Sequence, residues 1–403
     1  MLKLAFRNIF RNRARTALTL AAIIVGVSTV IVSGGFVEDI FIQLQESTIH
    51  SRLGHLQIIR QGYLEYGRRD PSKYLIENPQ HVRDVVRNFP HVRDVMARIN
   101  FSGLANNGNA DLPVVGEGVE ADKENRLGTA TTIISGKMLT NRDKYGVAVG
   151  EGVASALRLK PGSYLTLMAN TAEGALNTLE FQVVGVFRTF SKDYDDRAVR
   201  ITLDAAQELL FTRAIHRLVI SLDTTGATDE VADELKNSLG QQGYEIIPWY
   251  KLADFYSKTV ALYKRQFGVL QLIILVMLVL SVASVVNMSV YERTGEFGTL
   301  LAIGQRRRRI FMLILLEYTL LGLLGATIGI ALGGLMAMVI AGIGINMPPP
   351  PGSQVGYVVS IRVVPWVLLA GFAIGTVSTI LAAIFPGRRA ARIEIVDALR
   401  HNI

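Results

Sequence analysis

A chain of 403 residues that is 50% hydrophobic and only 19% charged, with a mean hydropathy of +0.32, is too apolar for a soluble protein of that length and puts a membrane class first. Its formal charge of +8 does not mark a nucleic-acid binder: between residues 38 and 265 there are 27 Lys and Arg against 29 Asp and Glu, and the other 15 basic and 5 acidic residues flank apolar runs. Cysteine is absent, which removes disulfides, thiolate nucleophiles and Cys-based metal centres.

Residues 1–16 group Leu2, Phe6, Ile9 and Phe10 on one helical face, with Lys3, Arg7 and Arg11 on a cationic face beside it. That pattern suits a helix lying along the inner leaflet, with a plain basic flank as the alternative. Residues 17–37 can span a hydrocarbon core of about 30 Å. The run is too long for a signal-peptide h-region and lacks an A-x-A site, so it reads as a retained anchor. Three more apolar runs, 267–290, 310–343 and 363–385, also reach spanning length. Basic residues cluster before the first span, in the 291–309 loop and in the 386–403 tail, whereas Arg362 stands alone in the 344–362 loop. Short basic segments stay cytoplasmic, so both termini are predicted inside and residues 38–266 outside. The expected fold is therefore an α-helical membrane protein with four transmembrane helices and a large mixed α+β extracytoplasmic domain between the first and second.

The outer segment changes texture from apolar runs to alternation. HLQIIR (55–60), LPVVGEGVE (112–120), YLTLM (164–168), FQVVGVF (181–187) and RLVISL (217–222) read as strands, and DEVADELKNSL (229–239) as an amphipathic helix. HVRDV occurs at His81 and again at His91, and Pro90 between the copies predicts a helix before it and a strand after it. Residues 43–50 and 250–266 read as stalks continuing the first two spans. MPPPPG (347–352) favours a stiff polyproline segment or a plain spacer.

The 288–322 stretch joins the second and third spans. Glu292, Arg293 and Glu296, followed by apolar Phe297, Leu300, Leu301 and Ile303, read as an amphipathic helix presenting a face to a partner. Gly304 ends it, and Arg306, Arg307, Arg308 and Arg309 pin the next helix at the headgroups, as Arg388 and Arg389 do after the fourth span. Glu317 lies roughly 10 Å into the third span at 1.5 Å per residue. A carboxylate there faces protein, is protonated, or snorkels to one of Arg306–Arg309. Gly322, Gly325, Gly329 and Gly333 form a small-residue stripe for close helix packing, within the chain or across a dimer.

The sequence also lacks several chemistries. No G-x-x-x-x-G-K-[ST] loop is present, since Thr131 stands where the first glycine before Gly136-Lys137 would be and Met138 follows. Neither G-x-S-x-G nor H-E-x-x-H occurs. Six histidines show no metal-ligand pairing, and His50 and His55 read as surface residues. No catalytic, cofactor or metal site is expected.

YERTGEFGTLLAIGQRRRRI resembles the coupling-helix motif of FtsX-like (MacB-type, or type VII) ABC transporter permeases, R-x-x-E-[IF]-G-x-x-x-A-[IL]-G-x-x-x-x-x-I. The matches are Arg293, Glu296, Phe297, Gly298, Ala302, Ile303, Gly304 and Ile310. FPGRRAARIEIVDALR is similar to that family's C-terminal ending at Pro386, Arg389, Ala390, Ala391, Asp397, Ala398, Leu399 and Arg400. LAFRNIFRNRARTALTLAAIIVGV resembles its entry helix, and VAVGEGVASALRLKPGSYLTL a patch of its outer domain. The resemblance implies a permease subunit without its own ATPase site. A dimer of cytoplasmic ABC ATPase subunits, which bind ATP and magnesium, docks under Glu292–Gly304, and a second permease protomer completes the unit. Size and layout are closest to the lipoprotein-releasing members, implying a bacterial cytoplasmic membrane, lipid-linked cargo and a periplasmic lipoprotein carrier as partner. Regulation of a cell-wall hydrolase and tripartite efflux of small molecules or peptides are the alternatives.

Overall fold

Stretches too apolar for a soluble core become long helices: Arg13–Thr48, Asp254–Glu292, Arg307–Ile343 and Pro365–Ala391. Each is long and apolar enough to cross a membrane. They are seen in a computed structural model in which residues 7, 8, 11, 13–67, 71–189, 191–348, 356–394 and 398 are described. The apolar face of the entry helix, most of the polyproline run and Asp397, Leu399 and Arg400 of the tail motif lie outside the described residues.

Helix length exceeds what the membrane requires. The first helix has 36 residues, about 54 Å at 1.5 Å per residue, against a core of about 30 Å. Its surplus forms the stalk, ending in one π-helical turn, Ile49–Leu53, that Gly54 stops at φ 66°. The second stalk begins at Asp254 rather than at Tyr250, because Trp249–Leu252 forms a separate turn and Ala253 leaves helical geometry. The fourth helix continues through Pro386 to Ala391, past the apolar boundary at 385. Hydropathy marks where lipid ends, whereas the helix is prolonged by Arg388 and Arg389 in its last turn, where cations suit the exposed carbonyls.

The chain divides into two compact units. The first comprises Met1–Ile42, Thr259–Asn346 and Val358–Ile403, and the second Gln43–Lys258 and Met347–Tyr357. In the helical unit, Ile23, Val27 and Ile31 of the first helix pack with Val282 and Val286 of the second, Ile314 and Leu321 of the third, and Ala382 and Ala383 of the fourth. The glycine stripe makes this packing possible from inside the chain. A Cβ on Gly325 would meet Ile23 Cγ2 at 2.8 Å, one on Gly329 would meet Val27 Cβ at 2.8 Å, and one on Gly333 would meet Ser28 Cα at 3.0 Å. Ser28 Oγ donates to the Gly329 carbonyl at 3.0 Å, made reachable by the same close approach. Gly322 faces Thr379 of the fourth helix.

Among the described residues the main sheet of the outer unit has ten strands: β1 (Leu56–Arg60), β2 (Val92–Asn106), β3 (Asp111–Val119), β4 (Thr132–Gly136), β5 (Gly146–Gly150), β6 (Tyr164–Asn170), β7 (Leu176–Arg188), β8 (Ala198–Thr202), β9 (Arg217–Leu222) and β10 (Tyr244–Pro248). Nine run in the order β10-β1-β9-β2-β3-β8-β5-β7-β4, with β6 pairing β2 and β7. Helices Pro79–Val86 and Thr228–Leu239 close one apolar core over β1, β9 and β10. Helices Glu151–Ala156 and Leu203–Leu209 close another over β5 to β8. The repeated pentapeptide splits as Pro90 requires: the first copy is helical behind the Asn78 cap, the second enters β2 after His91 at φ 64°.

Packing around the stripe sets the first prediction. Gly329→Ile should lower the thermal stability of the detergent-purified chain by about 1–3 kcal/mol through overpacking. Gly334→Ala, whose Cβ would have nothing within 4 Å, should leave it unchanged. Equal melting temperatures for the two would contradict this packing.

Candidate coupling site

The second helix ends at Glu292, and after the Arg293 junction a short helix runs over Thr294–Ala302. Ile303 caps it and Gly304, at φ 93°, reverses the chain into Arg306 at the start of the third helix. Phe297 and Leu301, four residues apart, are 1% and 9% exposed and join the helical core beside Ile310 and Ala390. They are therefore not presented to a partner, as the periodicity suggested. The fourth helix packs against the short helix, so this face is claimed from within the chain. What faces out is Glu296, Thr299, Ala302 and Ile303, the last 76% exposed, with Leu300 half-buried. A Cβ on Gly298 would meet Ala398 Cβ at 2.5 Å, so the tail motif packs against the coupling motif.

Beside this helix lies a polar cleft of about 190 Å³ in which three arginines meet three glutamates. Glu317, 6% exposed, accepts from Arg293 Nη1 at 3.0 and 3.3 Å and from Asn8 Nδ2 at 3.5 Å. Arg293 also donates to Glu296 at 3.2 Å, and Arg11, two residues before the first helix begins, pairs with Glu296. Arg15 pairs with Glu292 and donates to Ser289 Oγ at 3.0 Å. The intramembrane carboxylate thus takes Arg293 as counter-ion instead of one of Arg306–Arg309. Those four are exposed, as are Arg388 and Arg389, and they open the third helix two turns before Glu317. By its position alone Arg15 is one of the basic residues that flank the first span. Its specific partner lies 277 residues away, and no local signal could identify it.

A second polar cluster stands where the first stalk meets the outer sheet, and no local residue pattern announces it. Arg98 donates to the Arg52 carbonyl, Arg200 to the Ser51 carbonyl at 3.1 Å, and Gln57 to the Leu53 carbonyl at 2.9 Å. Three carbonyls that a helix end leaves without intrahelical partners are thereby satisfied by buried side chains. Arg98, fully buried, makes a two-point pair with Glu124. Glu117 accepts from Tyr194 at 2.7 Å and Arg217 at 3.1 Å, with Arg200 at 3.6 Å and Arg52 at 3.8 Å. The cluster crosses adjacent strands β1, β9, β2, β3 and β8. Arg98 sits directly opposite Arg217, and Glu117 directly opposite Arg200. Two arginines facing across a ladder repel, and the two glutamates make the arrangement tolerable. The second stalk joins the same base, with Trp249, Ala253 and Tyr256 packed on Ile49 and Leu53.

Burial pushes the Glu117 carboxyl up, but the surrounding guanidiniums of Arg98, Arg52, Arg217 and Arg200 outweigh it and hold it well below the usual carboxylate range. Burial raises the Tyr194 phenol to about 12, keeping it a donor. His55 is 1% exposed rather than at the surface, because the turn at Gly54 folds it under the stalk, with its ring 5.6 Å from His50. It accepts from the Leu222 amide at 3.2 Å and contacts Thr225 Oγ1 at 3.2 Å. Burial, then the neighbouring His50, lowers it to about 4; burial, then Arg217, lowers His216 to about 4. Among the described residues no group of three or more His, Asp or Glu side chains could hold a metal ion.

Residues 16–238 match the MacB-like periplasmic core domain, and residues 268–395 match the FtsX-like permease C-terminal domain. An uncharacterized ABC transporter permease of Methanocaldococcus jannaschii is 24% identical over 66% of this chain and 65% of its own. The pyoverdine export ATP-binding/permease protein PvdT of Pseudomonas fluorescens is 25% identical over 98% of this chain and 58% of its own. The macrolide export ATP-binding/permease protein MacB of Chlorobium luteolum is 25% identical over 99% and 59%. The chain therefore spans about three fifths of the length of the curated relatives it matches. It is also similar to the periplasmic region of MacB from Actinobacillus actinomycetemcomitans, at 15% identity and a TM-score of 0.37 over 51% of this chain and 93% of that one.

Two outcomes follow from the stalk cluster. Arg98→Met, which leaves Glu124 buried without its counter-ion, should cost about 3–5 kcal/mol, and adding Glu124→Leu should recover most of it. Denaturation followed by Trp249 fluorescence in a Trp366→Phe background measures both. A double variant no more stable than the single would refute the pairing. For pH, the folded chain holds His55 and His216 neutral down to about 4 while the unfolded chain protonates them near 6.5. The stability present above pH 6.5 should therefore be lost progressively between 6.5 and 4, read as a falling midpoint in the same assay.

Proposed function

The chain belongs to the MacB-type, FtsX-like family of ABC transporter permeases, and on that premise we propose that it couples ATP hydrolysis by a separate cytoplasmic ATPase to movement of its outer domain. The work done is extraction or release of lipid-linked cargo, lipoproteins above all, at the outer leaflet of the bacterial cytoplasmic membrane. Two such chains, or this chain and a related one, form the unit. The second helix leaves Val269, Leu272, Ile273, Val276, Met277 and Leu280 exposed within this chain, which supplies an apolar face for the second protomer. The observation that carries the reading is the charge network around Glu317. It gathers the ends of the first two helices, the coupling helix and the third span into one cleft, so a push on the coupling helix is felt by both stalk-bearing helices at once.

In this mechanism the ATPase pair grips the outward strip of Glu296, Thr299, Ala302 and Ile303. Closure shifts Glu296 and Glu292 against Arg11 and Arg15, and the stalk helices carry the displacement outward. Charge is sparse along the described spans, which favours a lever over a polar path through the bilayer. A periplasmic carrier then receives the cargo. Export of a small molecule or peptide through an outer duct is the second reading, favoured by the chain's similarity to pyoverdine and macrolide export proteins.

Purification of the tagged chain in mild detergent, with mass spectrometry of what accompanies it, separates the readings. An ATPase together with lipoproteins or their carrier is the expected result. An ATPase with a duct component would move the function to efflux, one with a wall hydrolase to force transmission, and absence of any ATPase would overturn the proposal. Ile303→Asp should cut ATPase recovery at least tenfold without changing membrane insertion. Glu317→Gln should keep the ATPase bound while uncoupling its hydrolysis from cargo release.

A further inference from the structure

At the outer end of the helical unit, a cavity of about 430 Å³ opens between the first, second and fourth long helices. That volume is within the range of sites for small molecules. Its walls are aromatic: Phe41 of the first helix, Phe267 of the second and Trp366, second residue of the fourth. Close approach of the helices makes its floor, since a Cβ on Gly34 would meet Val367 Cγ1 at 2.6 Å and Phe267 Cζ at 3.1 Å.

Three polar groups break this apolar lining. Gln271 lies four residues inside the apolar run that starts at Phe267, roughly 6 Å along the helix. Its Nε2 is buried and has no hydrogen-bond partner among the described residues. A buried amide donor wants an acceptor. Glu38 and Lys264 line the same cavity, and neither makes an ion pair or hydrogen bond with another described residue. The adjacent Asp39 shows what pairing looks like here: it accepts from Arg362 Nε at 2.9 Å and from the Ser360 amide at 3.1 Å. Glu38 and Lys264 instead put one acidic and one basic side chain into the lining of the cavity.

We propose that this cavity binds the head and glycerol region of one zwitterionic aminoethyl-phosphate phospholipid of the outer leaflet. Lys264 takes the phosphate, Glu38 the terminal ammonium, and the Gln271 amide donates to an ester carbonyl, while Phe267 and Trp366 flank the upper acyl chain. Opposite charges in the lining select a zwitterion, and Glu38 disfavours a head that carries only negative charge. Tryptophan at the head of a span suits the interfacial level such a lipid occupies. Binding requires that the four helices span a bilayer, and does not depend on which cargo the permease moves.

Native mass spectrometry of the tagged full chain tests this, with the chain released from nanodiscs holding equal phosphatidylethanolamine and phosphatidylglycerol. One phosphatidylethanolamine per chain should be retained, with at least tenfold preference over phosphatidylglycerol. Gly268 lines the cavity, and its Cβ would have nothing within 4 Å. Gly268→Phe should therefore plug the site and abolish retention while the melting temperature in lipid-free detergent stays unchanged. Glu38→Gln should erase the preference between the two lipids without abolishing retention. Equal retention of both lipids by the parent chain, or unchanged phosphatidylethanolamine retention in both Gly268→Phe and Gln271→Leu, would overturn the proposal. The readout needs no ATPase and no cargo, so its failure is separable from failure of the proposed function.

Discussion

A helix must do something with its last carbonyls, and in this chain that requirement organises the outer unit. The first stalk ends in a π-helical turn whose Ser51, Arg52 and Leu53 carbonyls are taken by Arg200, Arg98 and Gln57. Burying two guanidiniums for this purpose forces further choices. Each needs a counter-ion, so Glu117 on β3 and Glu124 on the helix that follows it are buried too. Arg217 stands opposite Arg98 and leans on the same Glu117. His216, next to Arg217 of the cluster, is held neutral by burial and by that guanidinium, since a further positive charge there would add to the repulsion. One structural need, a firm end for a stalk, thus accounts for most of the buried charge in the outer unit.

The inner end of the molecule meets the same electrostatic constraint with a different outcome. Glu317 is buried and held by Arg293, but the links onward are open to solvent: Arg11 and Glu296 have side chains 56% and 45% exposed, and Glu292 is 42% exposed. Pairs of that kind contribute about 0.2–1 kcal/mol each and are screened by salt. Removing one partner of a fully buried pair costs several times that. The solvent-open Arg11–Glu296 pair can exchange partners at little cost, while Arg293–Glu317 and the buried pairs at the stalk base cannot.

How much of this was legible depends on whether the information is local. Hydropathy and the placement of Lys and Arg are read within a window, and they suffice for four spans and a mixed outer domain. Alternation found β1, β3, β6, β7 and β9, and Pro90 correctly divided a repeated pentapeptide between a helix and a strand. The buried cluster was invisible for a physical reason: an arginine inside a strand, such as Arg98, reads by alternation as a solvated position, and only the fold shows that its face is covered. Partner identity was equally hidden. Glu317 was expected to need a partner or a proton, and the basic run nearest in sequence was the natural candidate, but the helix reversal at Gly304 brings Arg293 closer in space. The fourth helix, far away in sequence, is what Phe297 and Leu301 turn toward. Amphipathic spacing shows that a helix has an apolar face and does not show whether a neighbour within the chain will claim it.

The glycine stripe illustrates the same division from the packing side. Its spacing announced close helix approach, and a second chain or a neighbouring helix could equally have filled it. In the structure the first helix fills it with Ile23, Val27 and Ile31, and Ser28 adds a hydrogen bond to the Gly329 carbonyl. That commitment has a consequence for motion. The first and third helices interlock along several turns, so they move as one piece, whereas the second helix buries little of its apolar surface within the chain. A displacement entering at the coupling helix therefore meets one helix that is fixed to its neighbours and another that is largely free of them. Under the lever proposed here, relative movement of the two stalk-bearing helices needs no rupture of the tight glycine-mediated contacts, only repacking of the second helix's few contacts and exchange among solvent-exposed ion pairs.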